Sequence, residues 1–98
     1  MGADTVRAQV IDDVETAFVA LRTSQERVEL YETVYLKGSH DSREIAEYAY
    51  RRGATSILDL LDAERTDRAT QLAYRQALAD DVTRLAQLAA AAGGELGP

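Results

Sequence analysis

The only proline of the chain is its last residue, Pro98, and the glycines sit near the two ends, at Gly38 and at Gly53. Proline breaks a helix interior and glycine weakens one, so helix is permitted almost everywhere. Ala, Leu, Glu, Arg and Gln dominate, as in long helices or coiled coils. Gly53 alone is flanked on both sides by long helix-forming sequence, in the stretch Tyr50–Ala63. The expectation is an all-α chain: helix about 4–52, turn about 53–55, helix about 56–92 and a frayed tail 93–98. The two arms make one long antiparallel, coiled-coil-like hairpin.

The first arm carries a heptad seam at Val10, Val14, Ala17, Leu21, Ser24, Val28, Tyr31, Tyr35, Gly38, Ser42, Ile45 and Ala49. Spacings of three and four residues put these on one helix face. Ile11, Phe18, Leu30, Val34 and Leu36 lie off it, so the apolar surface is wider than a two-stranded seam requires. Lys37–Glu44 holds break signals, with Gly38 as a terminator and Asp41 with Glu44 as a cap pair. The heptad phase nevertheless passes through Gly38 and Ser42 without a shift, which favours one continuous, locally weakened helix.

Ser56 is a good N-cap for the second arm, and Asp59 three residues on suits a capping-box-like pair in a first turn whose dipole favours acids. Apolar positions then run from Ile57, Leu58, Leu60 and Leu61 to Leu85, Ala86 and Leu88, and Gly93-Gly94 is a plausible stop. Glu47 with Arg51, Glu64 with Arg68 and Asp80 with Arg84 have the favourable i,i+4 order. At about 1.5 Å per residue the arms would reach roughly 70 and 55 Å, so the segment before residues 14–17 should overhang or meet another chain. Two helices cannot enclose a core. The isolated chain is expected to dimerise as a four-helix bundle.

Acids outnumber bases 17 to 11, giving a net charge of −6. This disfavours duplex nucleic acid and anionic membrane surfaces as partners. There is no cysteine for disulfide or thiolate chemistry. No apolar run approaches a membrane span, and no signal peptide is recognisable. His40, the lone histidine, has no second histidine or cysteine beside it and reads as an exposed helix residue rather than a metal ligand. Asp12-Asp13 and Asp80-Asp81 are adjacent carboxylates that do not face each other on a helix, and no nucleophile or base accompanies them, so they read as exposed charge. Neither an enzyme nor a cofactor or metal site is expected.

The run Tyr50-x-x-Gly53-x-x-Ser56-Ile57-Leu58-Asp59-Leu60-Leu61-Asp62-Ala63 resembles the signature of TolC-like outer-membrane efflux factors, the exit ducts of tripartite export pumps. Val10 with Val14, Ala17 with Leu21, and the segment Tyr74–Ala79 extend the resemblance along both arms. Ala49-Tyr50-Arg51-Arg52-Gly53, Leu60–Arg65 and Gln71–Gln76 are most similar to the heavy-metal cation branch. The resemblance implies a trimeric channel with a membrane β-barrel and a periplasmic α-barrel, whose entrance opens when its tip hairpins meet a periplasmic adaptor protein. Alternating strands for the barrel and a second hairpin are missing. The chain is therefore expected to be a fragment: the periplasmic hairpin of the C-terminal repeat in an outer-membrane protein, partnered by other protomers and the adaptor.

Residue by residue, the resemblance makes Asp59 and Asp62 the aspartates that ring the entrance and influence cation passage. The alternatives are a helix cap for Asp59 and a solvated first-turn acid for Asp62. Tyr50 matches a tyrosine that helps hold the entrance closed, or else is an interfacial tyrosine packed across the hairpin. The arginine that partners it in some members is replaced here by Thr55. Arg51, Arg52, Gly53, Ala54 and Thr55 form the adaptor-docking tip; Gly53 is equally read as a turn residue at positive φ, and the arginines as solvated charges. The contrasting function is a stand-alone coiled-coil interaction protein without a transport role. Such a hairpin needs a glycine and a cap, but has no need of Leu-Leu-Asp-Ala after them.

Overall fold

A computed structural model describes residues 2–96. The chain is all-α: α1 (Gly2–Leu30), a π-helical segment (Tyr31–Tyr35), α2 (Leu36–Arg51) and α3 (Ile57–Leu96). The first three are continuous, so Gly38 does not break the helix. α3 runs through Gly93 and Gly94, where a stop was expected, because glycine in a helix costs only about 1 kcal/mol relative to alanine. Residues 97 and 98 of the expected frayed tail lie outside the described residues, among which there is no strand.

The chain divides into two compact units, one built from the segments up to Arg27 and from Ala77 on, the other from Val28–Gln76. In the first, residues 2–9 are exposed and Val10, Val14 and Ala17 are half-buried, leading to the enclosed Leu21, Ser24 and Ala77. Ser24 bridges the helices: its Oγ lies 2.8 Å from the Leu21 carbonyl and 2.9 Å from Asp81 Oδ1. Asp81, expected to be exposed, is thus half-buried and hydrogen-bonded.

The second unit is a helical hairpin folded at residues 52–56. Tyr31 meets Tyr74 at 6.3 Å between ring centroids, and Ser39 meets Asp67 at 3.1 Å, so the helices run antiparallel. α3 keeps a strict heptad: Leu60, Asp67 and Tyr74 face inward with Ala63 and Thr70. The opposite wall does not. Tyr31 is inward, but the next inward residues are Leu36, Ser39, Arg43 and Ala46, each one place beyond the expected Tyr35, Gly38, Ser42 and Ile45. Ile45 is 70% exposed.

The cause is the π segment. Leu36 donates its N–H to the Tyr31 carbonyl, five residues back instead of four, so one extra residue is taken up in a turn. At 3.6 residues per turn, one residue is a rotation of about 100°. Thr33 contributes locally, its hydroxyl donating to the Glu29 carbonyl at 2.8 Å, a side-chain bond that competes with the regular ladder.

The inner face of the second unit is accordingly rich in polar groups, while across the two units Phe18, Val19, Ile45, Leu58, Leu72, Val82 and Leu85 are exposed. Much of the apolar list read from the second arm points outward. Among the described residues of that arm, Leu60 is the leucine that is buried, at 8% exposure. No helix among the described residues is long and apolar enough to cross a membrane.

Candidate functional site

The turn after α2 is closed by its own backbone. Gly53, at φ +73°, donates its N–H to Tyr50 O at 3.0 Å, and Ala54 donates to Ala49 O at 2.9 Å. These are the paired bonds of a Schellman stop, which requires a left-handed residue and so selects glycine. Ser56 then caps α3, its Oγ accepting the Asp59 N–H at 3.3 Å. The reciprocal bond differs from a capping box: the Asp59 carboxylate accepts from the Thr55 hydroxyl.

The arginines of the turn are engaged within α2. Arg51 Nη2 lies 2.6 Å from Glu47 Oε1, and the Arg52 guanidinium sits 4.4 Å above the Tyr48 ring. Both side chains are held by their own helix, and Gly53 and Ala54, which follow them, are exposed. Tyr50 is exposed at the same end. Asp62 is open to solvent and 3.8 Å from Arg65. The structure therefore brings Thr55 and Asp59 together, whereas Asp62 points away into an open groove of about 600 Å³ alongside Tyr31, Tyr35 and Gly38.

Below the turn lies a polar cluster that motif reading missed. Asp67, 5% exposed, accepts from Ser39 Oγ at 3.1 Å, from Arg43 Nε at 3.1 Å and from Gln71 Nε2 at 3.3 Å. Arg43 also reaches Glu47 Oε2 at 3.7 Å, which links the cluster to the Arg51 pair. A buried carboxylate without such partners would be strongly destabilising. Among the described residues, no enclosed side-chain nitrogen or oxygen lacks a partner. The signal for Asp67 was present in the sequence, since it lies one heptad from Leu60 and two before Asp81. For Ser39 and Arg43 there was none, because their inward placement depends on the π segment.

That segment has its own polar contact. Tyr74 donates its hydroxyl to Glu32 Oε2 at 3.0 Å, and Tyr31 packs edge-on against Tyr35 at 5.1 Å. The bond to Glu32 holds the Tyr74 phenol above its ordinary range, with partial burial and the carboxylate charge acting in the same direction. On the outer face Lys37 is raised by its bond to Asp41 and by that group's charge. His40 is exposed, with Nε2 3.0 Å from Glu44 Oε1 and Nδ1 3.3 Å from Arg43 Nη2. Of the expected i,i+4 pairs, Glu47–Arg51 and Asp80–Arg84 form, while no ion pair joins Glu64 to Arg68. Among the described residues, no three His, Cys, Asp or Glu converge on a metal-sized site.

A family model described as outer membrane efflux protein matches residues 3–94. Comparison with curated proteins and with solved structures gives no match.

Proposed function

Because the chain belongs to the outer membrane efflux protein family, we propose that it forms part of the periplasmic helical wall of an efflux channel, as one piece of a longer outer-membrane protein. The observation that carries this reading is the division of its surfaces. Polar side chains such as Asp67, Arg43, Ser24 and Asp81 join the helices of each unit to one another, while Phe18, Leu58, Leu72, Val82 and Leu85 face outward. Large apolar side chains distributed along helices in this way are suited to burial against further helices. The neighbours in this reading are helices of the same protomer and of other protomers in a trimer.

In the same reading the Arg51–Thr55 turn is the end that meets a periplasmic adaptor protein of a tripartite pump. Arg51 and Arg52, held back on Glu47 and Tyr48, leave the Gly53 and Ala54 backbone accessible to a docking partner. Tyr50, Asp59 and Asp62 are the entrance residues. Asp62, 3.8 Å from Arg65 and open to solvent, offers a carboxylate for which passing cations would compete with that arginine, which suits the heavy-metal cation branch. Asp59 has one carboxylate oxygen committed to Thr55, so its cation contact uses Oδ1. No catalytic step is involved.

The test places a photo-crosslinking residue at Ala54 in the full-length channel protein, in cells. The expected result is an adduct with a periplasmic adaptor that is absent when the same residue replaces Ala3. An assembled channel that gives no adaptor adduct from position 54 would overturn the docking assignment.

A further inference from the structure

We propose that α2 has two registers against α3, and that the Tyr31–Tyr35 π segment is the device that selects between them. One register is seen, with Leu36, Ser39, Arg43 and Ala46 inward. The second follows from the sequence. If the helix ran through Tyr31–Tyr35 in unbroken α geometry, Tyr35, Gly38, Ser42 and Ile45 would face α3 instead. The two are related by rotating α2 through about 100° and advancing it by about 1.5 Å, one α-helical residue.

Both faces are fit to pack. The unused face is the more apolar and presents Ile45, now 70% exposed, and Gly38, at which an added Cβ would meet nothing within 4 Å. Hydrophobic burial and regular helix geometry therefore both favour the register that is not seen. What favours the observed one is Asp67. Its Ser39 and Arg43 donors are available only when the π segment shifts the phase, whereas Gln71 lies on α3 and stays in either register. In the unbroken register the buried carboxylate would lose its cationic partner. A π-helical turn that exchanges one face of a helix for the next fits the frequent placement of such turns at functional positions.

Rotation of α2 carries Tyr48 and Glu47 around with it, and with them the side chains that restrain Arg52 and Arg51. The register is thereby coupled to the surface presented at the turn. This inference stands on the geometry of the Val28–Gln76 unit and does not depend on the efflux reading.

The chain has no cysteine, so Ser42→Cys provides a single thiol reporter. Position 42 is exposed in the observed register and faces α3 in the other. With Asp67 intact the thiol should label rapidly with a maleimide. In Asp67→Leu, which removes the acceptor of Arg43, labelling should slow by at least about tenfold, as expected for a site reached only through local opening. Deleting Thr33 in that background should restore fast labelling, because with one residue fewer an unbroken α-helix already brings Ser39 and Arg43 inward. Should Asp67→Leu lose its helicity, Asp67→Asn serves in its place with the same two readings. Equal labelling with and without the Asp67 substitution would overturn the proposal, as would slow labelling that persists after Thr33 is deleted.

Discussion

Arg43 Nε lies 3.1 Å from Asp67 Oδ2, joining α2 to α3 through a carboxylate that is almost wholly enclosed. The guanidinium side chain itself remains 30% exposed. Removing the acid leaves a partly hydrated cation rather than a buried one, so the cost falls below that of breaking a fully buried pair. Asp67→Ala is expected to destabilise the chain by about 2 kcal/mol, the scale of hydrogen bonds to charged groups. Arg43→Ala with Asp67→Ala should cost less than the sum of the single changes by about 1 kcal/mol, measured by urea denaturation as a double-mutant cycle. Additive losses would mean that the pair contributes nothing as a pair.

The same pair shows where sequence reading succeeds and where it stops. Glycine and proline placement, heptad spacing and the Ser56 cap were sufficient for the all-α class, the Gly53 turn and the seam from Val10 to Tyr31, because these depend on residues within a few positions of one another. The phase after Tyr31 depends on a partner far along the chain. Tyr35, Gly38, Ser42 and Ile45 make a better apolar seam on paper, yet a buried aspartate on the facing helix draws in Ser39 and Arg43. Likewise the apolar residues of the second arm were legible as a set, whereas their outward direction was not. The sequence pattern marks Ser56 with Asp59 as the capping pair and carries no signal for the Thr55–Asp59 bond.

Gly53 offers a clean separation of backbone strain from steric crowding. Its φ is +73°, and an added Cβ would meet nothing within 4 Å. Gly53→Ala should therefore destabilise by about 1–2 kcal/mol through left-handed strain alone. Gly53→Asn should cost less, because asparagine tolerates that region. Thermal melting followed by circular dichroism makes the comparison; equal losses for both would point to a cause other than φ.

At the start of α3, Ser56→Ala removes the acceptor for the Asp59 N–H and should cost about 1 kcal/mol. Thr55→Val frees the Asp59 carboxylate without touching that cap, so its effect on stability should be the smaller of the two. In the full-length channel, Thr55→Val is expected to alter cation sensitivity if Asp59 acts at the entrance. Conductance in the presence of divalent cations is the measurement, and an unchanged response would leave Asp59 as a turn residue only.

Tyr74 provides a signal in alkaline solution. Its phenol is raised above the ordinary value of 10.0 by donation to Glu32, so the folded chain favours the protonated form more than the unfolded chain does. That contribution is complete below the unfolded pKa and disappears as pH rises through the higher folded value. Absorbance titration should show a phenolate appearing above the ordinary tyrosine range, and Glu32→Ala should bring it back down. A titration curve unaffected by that substitution would contradict the contact.

The central claim is that the helices turn their large apolar side chains away from each other and toward further helices. Leu58 and Val82, each 68% exposed, illustrate it on α3. Static light scattering on the purified chain, with helicity followed in parallel, tests this most directly. The expected result is a stable helical assembly at an integral multiple of the 10.7 kDa chain mass, with a dimer as the smallest species at high concentration. A fully helical species that stays at 10.7 kDa under those conditions would contradict it.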